Sequence, residues 1–170
     1  MRLSTPQLHA AWLDVFGGDV ITHSDAAKKP LDVDLKFPLP PRIRIYTYNL
    51  VFGGKARPDE YKVVTRVPGQ TVGEYASFNH EDGRLTLLTG YSNDLDVFVF
   101  WDAYLHPKFK WAGNMQVKKD AVLAGVADGL AEHRRPLKGL SATEVVLISR
   151  PRRLGLALQQ RVSTTGGIPS

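Results

Sequence analysis

The sequence predicts an α+β fold, with one mixed β-sheet flanked by helices in a single domain. Three observations carry this. The 170 residues are 43% hydrophobic and 23% charged, the balance of one ordinary soluble domain. Apolar residues recur with the period of a strand in five short segments and with the period of a helix in three others. The order is helix, several strands, helix, strand, helix, with no internal repeat.

The first helix is set by Ser4-Thr5-Pro6-Gln7, where Ser4 and Gln7 stand at capping-box spacing and proline occupies the first turn. Leu8, Trp12 and Val15 or Phe16 follow at helical spacing, and Gly17-Gly18 ends the segment. Residues 19–41 close with Pro38-Leu39-Pro40-Pro41, which suits neither helix nor central strand. They are expected to wrap the domain as an irregular surface segment. Arg42 to Val51 predicts a strand, with Ile43, Ile45 and Thr47 on one face and Arg42, Arg44 and Tyr46 on the other. A loop over 52–59 leads to a second strand from Tyr61 to Val67, closed by Pro68-Gly69. Leu85 to Leu88 and Leu95 to Trp101 are the next two, the latter apolar enough to be central. Residues 103–117 show no sustained period and predict a loop. Asp120 is expected to cap a helix reaching about His133, with Val122, Leu123, Val126 and Leu130 facing inward. Glu144 to Ser149 is the last strand and Arg152 to Arg161 a closing amphipathic helix. The tail 163–170 reads as the start of a linker, leaving 1–162 as the domain.

The formal net charge of +5 is distributed in blocks. Residues 41–70 carry six basic and two acidic groups, residues 71–102 one and six, and residues 103–120 four and one. Such blocks can fold into a basic face and an acidic back, which suits a polyanion, nucleic acid first. A solvated, mildly basic surface is the plainer reading. The chain has no cysteine, which excludes disulfides, thiolate zinc sites and cysteine nucleophiles. No apolar run approaches the roughly 20 residues of a membrane span. Met1-Arg2-Leu3-Ser4-Thr5-Pro6 lacks the apolar core of a secretory signal, so the cytoplasm is the expected compartment.

Enzyme motifs are scarce. There is no Walker loop, no GxGxxG, no GxSxG and no HExxH, and the five histidines do not fall at ligand spacing, so no metal or cofactor is expected. One faint nuclease-like pattern is Asp102 followed by Gln116-Val117-Lys118, an acid and a lysine of the kind that serve Mg²⁺-dependent phosphodiester cleavage. Glutamine at the place of the second acid weakens it, and Asp102 bonding a nearby loop is the alternative. The richer segment runs from Tyr104 to Gln116, where aromatics and cations interleave directly after the most apolar strand. Lys108 and Lys110 are placed to meet phosphates, and Pro107, Trp111 and Ala112 to form an apolar dimple. Asn114 and Gln116 are placed to donate to a backbone or a base edge. Equally, Phe109 and Trp111 could anchor the loop in the core with the lysines outside. Lys55-Ala56-Arg57, beside Gly53-Gly54, offers close backbone approach and a guanidinium fork, though it also fits a plain turn. The Arg134-Arg135 and Arg150-Pro-Arg152-Arg153 clusters lie at predicted element ends, where they suit carbonyl caps as well as DNA.

An ordered series of residues carries a resemblance. Arg44-x-Tyr46 with Tyr48-Asn49, Arg57-x-x-Glu60-Tyr61-Lys62 and Val67-Pro68-Gly69-Gln70 form its first half. Leu88-x-Gly90-Tyr91, Asp96-Val97-Phe98-Val99-x-Trp101-Asp102-Ala103, Asn114-x-Gln116-Val117 and Glu144-Val145-Val146, with Arg161 in the closing helix, complete it. Over about residues 40–162 the chain resembles the sulfur-binding domain of McrA-type, phosphorothioate-dependent HNH restriction endonucleases. The resemblance implies a non-catalytic module that reads double-stranded DNA in which sulfur replaces one non-bridging phosphate oxygen. It also implies a nuclease domain beyond the linker and, through that parent protein, pairing of two copies. In that family a shallow apolar cavity in the loop after the Trp-Asp-Ala strand takes the sulfur. By position this implies His106, Pro107, Trp111 and Ala112 as the cavity, with His106 where the family has tyrosine. Lys55, Arg57, Lys108, Lys110, Asn114, Gln116 and Lys118 would then hold the DNA.

Physical chemistry suits such a cavity to sulfur. A phosphate oxygen pressed into an apolar dimple loses its water and finds no donor, at a cost of about 1–3 kcal/mol. Sulfur, a poorer acceptor, loses little. Two other functions stay open at this stage. One is a reader of methylated or unmodified DNA; the other is a metal-dependent nuclease using Asp102 and Lys118.

Overall fold

The computed structural model describes residues 1–139 and 141–165. Helix α1 spans Thr5–Phe16, and Ser4 and Gln7 form the expected capping box at its start. Among the described residues twelve strands follow, with two further α-helices. The strands are β1 (Val20–His23), β2 (Leu31–Leu35), β3 (Arg42–Asn49), β4 (Val51–Phe52), β5 (Glu60–Thr65) and β6 (Tyr75–Ala76). Then come β7 (Leu85–Ser92), β8 (Val97–Trp101), β9 (Phe109–Lys110) and β10 (Gly113–Lys118). Helix α2 (Lys119–Asp128), β11 (Leu130–Leu137), β12 (Ala142–Ser149) and helix α3 (Leu154–Thr164) complete the chain.

Seven strands form one sheet in the order β1-β2-β3-β7-β8-β12-β11. Every pair is antiparallel except β3 with β7, so the sheet is mixed and the fold is α+β. The sheet is buried on both faces. Against one face α1 and α3 pack Leu8, Trp12, Phe16, Leu154 and Leu158 onto Ile43, Ile45, Phe98 and Phe100. Trp12 also donates from Nε1 to Thr47 Oγ1 at 3.2 Å, which puts Thr47 on the face expected of it. On the other face Tyr46, Leu88, Val99, Trp101 and Ile148 meet Val122 of α2 and the inner side of a second, three-stranded sheet, β10-β5-β4. Burial on both faces accounts for the unbroken apolar run of β8, all five residues of which are buried.

Four expectations need correction. The stretch 19–41 is not irregular: it contains β1 and β2, and Leu31-Asp-Val-Asp-Leu35 alternates buried with half-buried residues as an antiparallel strand should. The segment 103–117 is not a free loop. After a 3₁₀ turn at Ala103–Leu105 it supplies β9, which pairs with β6, and β10, which pairs with β5 along its full length. The helix expected from Asp120 to His133 has Lys118 as its N-cap and stops at Asp128. There Gly129 at φ 86° takes the left-handed conformation that ends a helix and turns the chain into edge strand β11. Leu123 is consequently exposed and Leu130 belongs to a strand. Finally, a 3₁₀ turn at Pro151–Arg153 precedes α3, which extends through Ser163 and Thr164, where a linker was expected. Residues 166–170 of that tail lie outside the described residues. Among the described residues no helix is long and apolar enough to cross a membrane.

Candidate nucleic-acid interface

The three-stranded sheet has an inner and an outer side. Alternation along β10 sends Met115 and Val117 into the core and leaves Asn114, Gln116 and Lys118 outward. Residues directly opposite across an antiparallel pair share a face. The register Asn114↔Val64, Gln116↔Lys62 and Lys118↔Glu60 therefore adds Lys62 and Glu60 to that outer side. Arg66 follows just beyond the end of β5, its guanidinium 4.5 Å from the centre of the Trp111 ring. Glu60 is the acid of this row, and Arg57 lies 3.8 Å from its carboxylate. The remaining cations meet no carboxylate within 4 Å among the described residues.

Charge neutralisation elsewhere sharpens this face. Arg44 is buried and bonds Asp32 at 2.8 Å and Asp82 at 2.9 Å, while Arg84 bonds Asp34 at 2.9 Å. Arg42 and Arg44, the basic residues at the start of the 41–70 block, are thus spent on Asp34 and Asp32 of β2 and on Asp82. Those of its second half, Lys62 and Arg66, are left for the surface.

The loop from Asp102 to Ala112 is held from beneath by a buried polar network. Asp102 Oδ1 accepts from Tyr104 N–H at 3.0 Å, capping the 3₁₀ turn, and Oδ2 lies 3.6 Å from the buried Arg161 guanidinium. Asp102 N–H donates to Glu144 Oε2 at 2.9 Å. The same oxygen is 2.7 Å from His106 Nε2, and Arg135 approaches Glu144 Oε1 at 2.6 Å. Burial opposes ionisation of Glu144, but the His106 bond, the charges of His106 and Arg135 and the Asp102 N–H together hold its carboxyl below the ordinary range. Arg135 also donates to the Gln116 carbonyl at 2.9 Å, which ties β10 to the network.

The sequence-predicted residues divide accordingly. Asn114, Gln116 and Lys118 share the outer side of the small sheet, Pro107 and Lys108 are exposed in the segment before β9, and Lys110 is exposed on β9 itself. Trp111 is half-buried beneath Arg66, and Ala112 sits in the left-handed region at φ 57° in the turn into β10. His106 points its ring nitrogen at Glu144, so it props the loop from below. Lys55 and Arg57 are exposed at the opposite end of the small sheet. Because β5 and β10 run antiparallel, the six residues of β5 separate Arg57 from Trp111 by about 20 Å at roughly 3.3 Å per residue. Asp102 is fully buried and serves as a cap and an ion-pair partner. Arg150 does cap carbonyls, those of Val126 and Leu95 at 3.1 and 3.2 Å. Sequence reasoning missed Lys62 and Arg66. The two-residue spacing from Lys62 through Val64 to Arg66 was the signal available for them.

Fold and surface define a compact α+β module with a cation-bearing strand face. The chain belongs to the Methylase-associated X1 (MTaX1) family, which matches residues 41–158. That membership places it with modification-associated domains of restriction systems. Among curated proteins and among solved structures, nothing matches the chain.

Proposed function

We propose that this module holds DNA for a modification-associated restriction system and does no chemistry of its own. The outer side of β10 and β5, with the loop at Lys108 and Lys110, is the surface that meets the DNA. One observation carries the reading. Lys62, Arg66, Lys110 and Lys118 stand on or beside a single strand face without carboxylate partners among the described residues, and Asn114 and Gln116 interleave with them. Cations of this kind release counter-ions from a phosphate backbone, and amides between them suit backbone or base-edge bonds.

The finer reading is that the module recognises a phosphorothioate linkage. Phe109 stacks on Phe78 in the core, which leaves Pro107, Trp111 and Ala112 as the apolar residues beside those cations that would contact the sulfur. His106 contributes by holding the loop through Glu144. The desolvation difference between oxygen and sulfur, about 1–3 kcal/mol, corresponds to a preference of about 5–150-fold. A second reading, recognition of methylated or unmodified DNA by the same face, is favoured by the methylase association of the family.

Dissociation constants for ordinary, methylated and phosphorothioate duplexes of one sequence, at one salt concentration, test all of this. The sulfur reading expects the phosphorothioate duplex to lead by at least fivefold. Equal affinities would end it, and a lead for the methylated duplex would favour the second reading. Each phosphate neutralised should add about −0.9 to the slope of log K against log salt. A flat slope would remove DNA as the partner, and Mg²⁺-dependent cleavage by this chain would overturn the non-catalytic assignment.

A further inference from the structure

Beyond the end of β3 lies a depression of about 180 Å³ at the seam between the small sheet and the start of α1. Its polar lining includes Arg2, Lys29, Arg66, Thr5 and Asn49, and Val64 of β5 closes one wall. Three cationic residues therefore line one concave spot. None of the three has a carboxylate within 4 Å among the described residues.

Lys29 is the informative member. Its ammonium is half-buried and rests 4.4 Å from the centre of the Tyr48 ring. Burial, and secondarily the like charge of Arg66, push its pKa below the ordinary lysine value. A partly desolvated cation facing another cation, with no carboxylate within 4 Å among the described residues, is an unfavourable arrangement that a bound anion would relieve. The start of α1 adds to it independently. Thr5, the first residue of this 12-residue helix, lines the depression, and the first turn contains no acidic residue. The positive end of the helix dipole, capped by the Ser4 hydroxyl, thus meets no negative charge within that turn.

We propose that Arg2, Lys29 and Arg66, at the N-terminal end of α1, form a phosphate-binding pocket distinct from the Pro107–Ala112 loop. A tetrahedral oxyanion fits because it offers acceptors to three cations approaching from different elements. Two sources share this chemistry: a backbone phosphate of bound DNA, and a free or strand-terminal phosphate. Arg66 serves both the pocket and the Trp111 stack, which makes the DNA backbone the natural source. That choice of source rests on the DNA reading above; the pocket itself does not.

The test uses the full chain and inorganic phosphate, with chloride at matched ionic strength as the reference. Phosphate should raise the thermal midpoint beyond chloride, and Lys29→Gln should abolish that increment. Arg2→Ala, at an exposed position outside the core, should reduce it and guards against a folding defect in the lysine variant. Lys29→Arg should retain it. In parallel, the salt slope for an ordinary duplex should fall by about 0.9 in Lys29→Gln. A lost phosphate increment with an unchanged duplex slope assigns the pocket to a free or terminal phosphate. A wild-type chain that binds no duplex but shows the increment gives the same assignment and separates the pocket from the DNA reading. A reduced slope alone assigns the pocket to the DNA backbone. If phosphate acts like chloride and Lys29→Gln leaves the slope unchanged, the pocket does not bind phosphate.

Discussion

Replacing Glu144 by glutamine should loosen the loop at Pro107–Ala112 from beneath while leaving its surface chemistry intact. The carboxylate is fully buried and serves three partners: Arg135, the His106 ring and the Asp102 N–H. Glutamine keeps the shape and one acceptor oxygen, but its amide group faces either His106 or the Arg135 guanidinium. Breaking a buried pair by neutralising one partner costs about 3–5 kcal/mol, a large part of the roughly 5–15 kcal/mol that stabilises a domain. At about 2–4 °C per kcal/mol for a chain of this size, the midpoint should fall by roughly 6–20 °C. The pH dependence follows from the lowered folded pKa of Glu144. Its contribution is fully present above the ordinary glutamate value, near ~4.3, and is lost as pH falls through the lower folded value. Thermal melts of both proteins from pH 7 down to pH 3 should therefore show a wide gap at neutral pH that narrows once the pH falls below the ordinary glutamate value. A loss below about 1 kcal/mol at pH 7, or a gap independent of pH, would refute the reasoning.

Four further outcomes are expected. Gly125→Ala should destabilise the domain, because the added Cβ would lie 2.7 Å from Ile148 Cβ and 3.3 Å from its carbonyl; the crowding, about 1–3 kcal/mol, should exceed the helix-propensity gain of about 1 kcal/mol, as denaturant melts would report. Arg66→Ala should weaken duplex binding roughly tenfold or more and change the Trp111 environment seen by fluorescence. Arg57→Ala, a strand's length away, should lower the salt slope without altering the phosphorothioate-to-ordinary ratio, and a changed ratio would contradict the placement of the two loops. Ala112→Gly should stabilise the chain by up to about 1 kcal/mol, since a left-handed φ of 57° is strained for alanine and free for glycine; calorimetry on both proteins checks this.

What was legible in the sequence followed from local rules. The capping box at Ser4 and Gln7, the two faces of β3 and the apolar β8 all express a single period or a single turn of helix. β2 was equally periodic, and the proline-rich segment after it obscured the pattern. β11 was illegible for a physical reason: Leu-Ala-Glu-His-Arg-Arg-Pro-Leu is a polar edge strand that tolerates Pro136, and only the left-handed Gly129 separates it from the helix before it. In the candidate interface, the outward row of β10 was visible residue by residue but not as a strand. The inward turn of His106 was not visible at all, because it depends on Glu144, 38 positions away. Lys29 and Arg2 were invisible as partners of Arg66 for the same reason: no local pattern connects three elements.

The matched stretch 41–158 and the folding unit of this chain are different lengths. Leu8, Trp12, Leu31 and Val33 precede the match and cover Ile43, Ile45 and Phe98, while Arg161, which braces Asp102, follows it. A fragment trimmed to residues 41–158 would be an open book. One page of the seven-stranded sheet would lie bare, and its first remaining strand would offer an unpaired edge to any neighbour. Such a fragment should aggregate, and expression trials on this domain should start from residue 1 and retain α3 to its last turn.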